Sequence, residues 1–459
     1  MEMFEGRAVL VRSSEVLPDE EGTDSRAELY RFLEKYAPLV AAVAAGTLLW
    51  TLLSGVMSQE NWPDHEVYRR AVHTWLSGGN VLTSHSPVSN DGPLPWVYPP
   101  FALLPLTPPA VLPLKLDIAL LYLVNVVALV GTLYLVLRRV VPRLGARTVL
   151  AIAVVAAQSS LLIDPVANSF WQGQINIVLM GLVAFDCLVS APRWPRGMLI
   201  GAAAAVKLVP AAFVLLFLVR RDFRAVLSVV VTFVVATLVG FVVDFGASVD
   251  YWFGQGPAAA AFGSPLRGNQ SMLAVLSRTD LAPTARFVGW IALCLLLAAV
   301  TAYCAHRGST PLAVTAIGVF SLLVSPTAWS NHWVWIAPAI LLMILHGVLN
   351  RGFPWLFAAV ASIAVTRAAP YTDLPAGRGS MVELGPLDQL SAASYVLLGV
   401  GLVLALLVTL LGRDVSAGNV PWRNRGGPPG PTAGEVARPA RLSGALAQPQ
   451  REAEPTKSC

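Results

Sequence analysis

The chain has 459 residues, of which 55% are hydrophobic and only 13% charged, with a mean hydropathy of +0.63. Soluble domains carry about 25% charged residues, so a soluble multidomain enzyme, a disordered chain and an ordinary nucleic-acid-binding protein are excluded, and a polytopic membrane protein is indicated. The formal charge of +5 reads as the Lys/Arg excess of cytoplasmic loops rather than the mark of an anionic partner.

Residues 1–36 are polar and acid-rich, without a basic stretch running into an apolar core and cleavage site, so no cleaved signal peptide is read. They are expected to be cytoplasmic. A span needs about 20 apolar residues. Candidates are 37–57, 116–137, 146–163, 174–190, 225–243, 287–305, 311–325, 333–349, 353–369 and 392–411. The segment 198–219 is equally apolar but holds Lys207 and Pro210 near its middle, and proline breaks the helical ladder there. Arg138, Arg139, Arg143 and Arg147, then Arg193 and Arg196, then Arg220, Arg221 and Arg224 form three basic clusters. The positive-inside rule puts all three in the cytoplasm, so 198–219 is expected to be a broken re-entrant pair with both ends on one side. The fold class is therefore all-α: a polytopic transmembrane helix bundle of about ten full spans plus that pair, filling 37–411. Residues 412–459, rich in Pro, Gly, Ala and Arg, are expected to be a disordered cytoplasmic tail.

This topology puts 58–115, 164–173, 244–286, 326–332 and 370–391 outside. In the long first outer loop, 58–115, Val67, Val72 and Trp75 share one helical face and suggest an interfacial helix. The proline-rich YPPFALLPLTPPAVLPL that follows cannot be a regular span.

Polar residues that are hard to explain as loop surface gather on the outer side. They are Asp64, His65 and Tyr68, then Gln172, Gln174 and Asn176, then Asn269 and Gln270, then Asn331 and His332. Asp64 reads either as a helix N-cap or as a general base at the membrane surface. His332, between Trp329 and Trp335, reads either as the polar edge of an aromatic belt or as a functional group at the bundle mouth. Lys207, buried in an apolar run, must reach an interface, an anion or a water-filled cavity. Gln172, Gln174 and Asn176 could be inter-helix glue, and Asn269 or Ser271 a helix cap. No metal-ligand spacing, Walker loop or dinucleotide loop is present, so no metal and no cofactor are expected.

The order PDHEVYRR, VYPPFALLPLTP, GQINIVLM, KLVP, GNQS and SPTAWSNHWVW resembles the actinobacterial polyprenol-phosphate-mannose-dependent α-(1→2)-mannosyltransferases, from about Asp64 to about Trp335. That resemblance implies a glycosyltransferase-C-like fold and an active site facing the extracytoplasmic side of the cell membrane. It implies a polyprenol-phosphate sugar donor, a mannosylated lipid or lipoglycan acceptor, and an inverting transfer. The family's catalytic Asp falls on Asp64 and its surviving His on His332. The family usually has Leu where this chain has His65, and a first histidine where it has Asn331. With this resemblance, His332, Lys207 and Arg69 or Arg70 are expected at the donor phosphate, and Tyr68, Trp329 and Trp335 at sugar faces. Gln172, Gln174, Asn176, Asn269, Gln270 and Asn331 complete the expected substrate-binding set. Two other readings stay open: a transferase using polyprenol-phosphate arabinose, and a lipid-linked sugar transporter or flippase.

Overall fold

The computed structural model describes residues 20–86, 94–254, 262–350, 352–374 and 384–416. The expectations for residues 1–19 and for the tail from 417 lie outside the described residues. Apart from one two-residue antiparallel pairing of His85–Ser86 with Leu94–Pro95, the described regular structure is helical.

Helix α1 (Glu20–Ser58) starts well before residue 37 and carries the first apolar run. It is followed by α2 (Pro63–Leu76), a 3-10 turn at Pro100–Ala102, α3 (Leu103–Ala110) and α4 (Leu114–Val140). The interfacial helix expected in the first outer loop is α2: it buries Val67, Tyr68, Ala71 and Val72. Next come α5 (Ala146–Ser160) and α6 (Asp164–Gln172), bent by 78° from each other, and α7 (Asn176–Leu188). The 198–219 segment is broken as its Lys and Pro imply, into α8 (Met198–Val206), a 3-10 turn at Val209–Phe213 and α9 (Val214–Val219). The remainder runs α10 (Phe223–Val243), α11 (Phe245–Phe253), α12 (Met272–Ser277), α13 (Pro283–Arg307), α14 (Thr310–Val324), α15 (Ile336–Leu349), α16 (Phe353–Ala368), α17 (Pro386–Ala392) and α18 (Ser394–Ser416).

Seven helices among the described residues are long and apolar enough to cross a membrane, or eight if the bent α5–α6 pair counts as one span. Length and apolarity among the described residues thus support seven or eight of the ten expected spans. The segments at 174–190 and 311–325 form apolar helices of only 13 and 15 residues. At 1.5 Å per residue these are about 20 Å long, against about 30 Å of hydrocarbon. In 174–190 the first two residues belong to the turn that carries Gln174, so the helix starts late, whereas 311–325 is helical along its length and is short because its apolar run is short.

Packing follows the distribution of small residues. Helix α10 turns Leu227, Val231, Val234, Val235 and Leu238 outward, each 46–62% exposed, as a lipid-facing surface requires. Its buried stripe is Ala225, Val229, Ala236 and Gly240. Gly197 and Gly201, just before and on α8 respectively, lie against this stripe; a Cβ on Gly201 would stand 2.6 Å from the Val229 carbonyl oxygen. Close backbone approach through small residues is how helices associate where water supplies no hydrophobic drive. Helix α14 is buried along nearly its whole length and forms the centre of the bundle.

The arginine clusters meet at one end. Arg139 donates to the Leu188 carbonyl (2.8 Å) and Arg196 to the Asp186 carbonyl (2.7 Å). Arg220 donates to Thr310 Oγ1 (2.7 Å) and to the Gly308 carbonyl (3.2 Å). Asp186 accepts from the backbone N–H of Gly197 (2.9 Å) and Ile200 (3.0 Å), neutralising orphan donors at the start of α8. Both ends of 198–219 are therefore fastened at the arginine end. Lys207, at its break, meets Asn176 at the other end of α7.

Candidate active site

Helix α2 begins with Pro63 at its first position, and Trp62 precedes it without a side-chain cap. Asp64 is therefore not the N-cap. Its Oδ2 accepts from Gln174 Nε2 (2.5 Å) and from Asn331 Nδ2 (3.2 Å). Residues 110 and 267 positions apart in sequence thus converge on one carboxylate oxygen. Burial pushes the Asp64 pKa above the usual carboxylate range; the Gln174 amide, the Lys207 charge and the Asn331 amide pull in the opposite direction.

Gln174 is delivered by the end of α6. Gly173 adopts φ +71°, the left-handed conformation glycine tolerates, and a Cβ there would lie 2.6 Å from His65 Cβ. The Gln174 side chain is held from behind by Tyr68, whose hydroxyl donates to Oε1 (2.8 Å). Asn331 lies on the 3-10 turn Ser330–Trp335. Its carbonyl accepts from Ser169 Oγ (2.6 Å) and Asn176 Nδ2 (3.1 Å).

Lys207 stands next to this group. Its Nζ donates to Asn176 Oδ1 (2.8 Å), lies 3.1 Å from His332 Nε2, and sits 5.3 Å from the centre of the Tyr98 ring. These partners are neutral acceptors and a π-face, so the ammonium is oriented without being neutralised by direct contact. Asn176, Lys207, His332 and Trp335 line a groove of about 390 Å³ together with the apolar Met180, Phe213 and Leu322.

The other expected residues are placed differently. Arg69 donates to buried Asp117 (2.6 Å) and to the Leu112 carbonyl (3.0 Å). Arg70 pairs with Glu66 (3.0 Å) on the exposed side of α2. Neither arginine reaches the groove. Asn269 and Gln270 are fully buried and bound to backbone. Asn269 bridges the Ser264 carbonyl (2.8 Å) and the Ala328 N–H (2.9 Å), while Gln270 donates to the Arg267 and Ala392 carbonyls (2.8 Å each). Ser271, not Asn269, caps α12. These residues pin the loop before α12 to the segment before Asn331. Trp329 pairs with Asn269 in an isolated bridge. Trp335 packs against Phe213 with ring centres 5.0 Å apart. Gln172 is half-buried, and its Oε1 has no hydrogen-bond partner among the described residues.

Three participants escaped the sequence reading. Asp117 accepts from both His65 Nε2 (2.8 Å) and Arg69, fastening α2 to α4; a carboxylate inside KLDIALL was the available signal. Tyr98, in the proline-rich stretch, touches Tyr68 and Lys207. Ser169 supports Asn331 and had no signal in sequence.

An apolar helix bundle with an ammonium and an imidazole in one groove, and a carboxylate tied to that groove's edge through Asn331, defines a polytopic membrane protein with a candidate active site. Residues 96–326 match the family model for glycosyltransferase family 87. A polyprenol-phosphate-mannose-dependent alpha-(1-2)-phosphatidylinositol mannoside mannosyltransferase of Mycobacterium tuberculosis is 34% identical over 415 residues, covering 86% of this chain and 94% of the relative. Its namesake in Mycolicibacterium smegmatis is 34% identical over 72% of this chain and 80% of its own. A phosphatidylinositol pentamannoside mannosyltransferase of the same species is 29% identical over 71% of this chain and 80% of its own. No solved structure matches. The chain belongs to glycosyltransferase family 87 and is a multi-pass membrane glycosyltransferase.

Proposed function

We propose that this enzyme transfers mannose from polyprenol-phosphate mannose to a mannosylated phosphatidylinositol-type lipid or lipoglycan, forming an α-(1→2) linkage with inversion. The observation that carries this reading is the placement of the Asp64 carboxylate and the Lys207 ammonium in one site, bridged by Asn331–His332 and Asn176. Asp64 Oδ2 is occupied by two amides, which leaves Oδ1 for an acceptor hydroxyl. Asp64 takes that proton as the acceptor oxygen bonds to the anomeric carbon. The bond from that carbon to the phosphate oxygen breaks, and polyprenyl phosphate leaves with the electron pair. The leaving group needs charge stabilisation more than a proton, and the Lys207 ammonium supplies it. His332, as the acceptor at Nε2, aims that ammonium. The relatives' names, which specify this donor and this class of acceptor, support the choice of mannose.

The reading also includes sidedness. The arginine end would be cytoplasmic and the Asp64 end extracytoplasmic in the cell membrane. The short helices α7 and α14 would complete about ten spans, and 198–219 would be a re-entrant pair whose apex is Lys207. The catalytic body would be 37–411.

The decisive experiment is incubation of purified protein in detergent with labelled polyprenol-phosphate mannose and a mannosylated phosphatidylinositol acceptor. Wild type should form a new glycosidic bond and Asp64→Asn none, with unchanged insertion. Normal turnover by Asp64→Asn would overturn the mechanism, and absence of product from wild type would overturn the function.

A further inference from the structure

Tyr98 joins the two halves of the site. It lies between the Leu94–Pro95 strand and the Pro100–Ala102 turn, and is 5% exposed. Its ring packs edge-to-face on Tyr68 (5.3 Å, 81°) and against Trp96 (5.2 Å). Its hydroxyl lies 3.0 Å from that of Tyr68. The Tyr68 proton is committed to Gln174 Oε1, so Tyr98 is the donor in the tyrosine pair. Gln174, with Oε1 so occupied, must turn Nε2 toward Asp64. The chain Tyr98–Tyr68–Gln174–Asp64 therefore donates in one direction only, toward the carboxylate, and successive bonds polarise one another. On its other side, the Tyr98 ring supports the Lys207 ammonium at 5.3 Å.

We propose that Tyr98 is a positioning residue that couples the two sides of the reaction: its hydroxyl keeps Asp64 in the ionised, proton-accepting state, and its ring face holds Lys207 toward the donor phosphate. The proposal rests on Asp64 being the base. The charged or titratable groups around Asp64 are Lys207, His332 next to Asn331, Tyr68 on its own helix, and Tyr98, with Tyr251 of α11 behind it. His65 and Arg69 on α2 are spent on Asp117.

The test uses full-length protein in detergent, with kcat and donor KM followed across pH for Tyr98→Phe, Tyr98→Leu, Tyr68→Phe and Asp64→Asn. Loss of donation to a carboxylate raises its pKa, so the acid limb of kcat should move to higher pH, by about 0.5–1 unit, in Tyr98→Phe and Tyr68→Phe. Donor KM should stay unchanged in both. Tyr98→Leu should show the same shift and, in addition, a donor KM about three- to tenfold higher, the size expected of a lost cation–π contact. A wild-type acid limb in Tyr98→Phe, or equal donor KM in the Phe and Leu variants, overturns the proposal. Reduced yield of folded protein with unchanged constants per folded molecule also overturns it, since that is a structural role alone. An active Asp64→Asn sinks the base reading instead, so the two failures are distinguishable.

Discussion

Lys207 Nζ and His332 Nε2 stand 3.1 Å apart, a contact in which only one of the two nitrogens holds the proton between them. With Lys207 as an ammonium, the proton is its own, and His332 carries its hydrogen on Nδ1. His332 then orients the cation and has no proton at Nε2 to give a leaving group. His332→Gln, which keeps an acceptor, should retain activity within about tenfold, whereas His332→Leu should lose about 10²-fold, the scale of a lost transition-state charge contact. Comparing kcat/KM of the two variants checks this; equal losses would assign the imidazole a different task.

Removing the Lys207 charge should be felt by the donor. Lys207→Met should lower kcat/KM by about 10²-fold and raise donor KM, with acceptor KM unchanged. Steady-state kinetics with labelled donor measures both, and an unchanged donor KM would take Lys207 off the phosphate.

The Asp64 carboxyl works at a cost to stability. Its pKa in the folded protein is raised above the ordinary 3.8, chiefly by burial, so the folded state prefers the proton. Stability is therefore lost as pH rises from 3.8 through the folded value. Asp64→Asn should melt higher than wild type at neutral pH, and the difference should shrink as pH falls toward 3.8. The same sign puts the acid limb of wild-type turnover above pH 3.8. Thermal melts and a pH–rate profile test the two halves separately.

Asp117 and Gly173 hold the site from outside it. Asp117 is fully buried between His65 and Arg69. Asp117→Leu should destabilise by about 3–5 kcal/mol, because it strands a buried cation. His65→Leu should cost less, since Arg69 remains on the carboxylate. Gly173→Ala meets both a positive φ and His65 Cβ at 2.6 Å, and should cost about 1–3 kcal/mol along with kcat, because the turn carries Gln174. Denaturation midpoints beside specific activity decide each case.

Asn269→Ala should lower the melting temperature and leave both KM values alone, since among the described residues its side chain binds the Ser264 carbonyl and the Ala328 N–H. A selective rise in either KM would return it to the substrate.

Much of this was legible in the chain because the bilayer imposes simple rules. Apolar runs marked the helices, and arginines marked one end of the bundle. A proline beside a lysine marked the break at 207–210. The convergence of Asp64, Gln174, Asn176 and Asn331 followed from topology alone. What stayed hidden was which polar residues look at each other. Arg69 and Asn269 have the composition of ligand contacts, yet each is satisfied within the fold. Tyr98 and Ser169 look like filler until the bundle closes around them. Helix length also misled at 174–190, where hydropathy counts the turn residues Gln174 and Ile175 as part of the span.

The broken 198–219 segment has one last implication. Asp186 clamps its rising limb and Arg220 its falling limb, both at the same end of the bundle. The limbs therefore act as a ruler that sets how deep the ammonium sits. Adding or deleting one residue in α8 would shift Lys207 by about 1.5 Å and swing it by about 100°, away from Asn176 and His332. The length of this stretch should be as intolerant of change as the identity of its lysine, while its lipid-facing side chains remain free to vary.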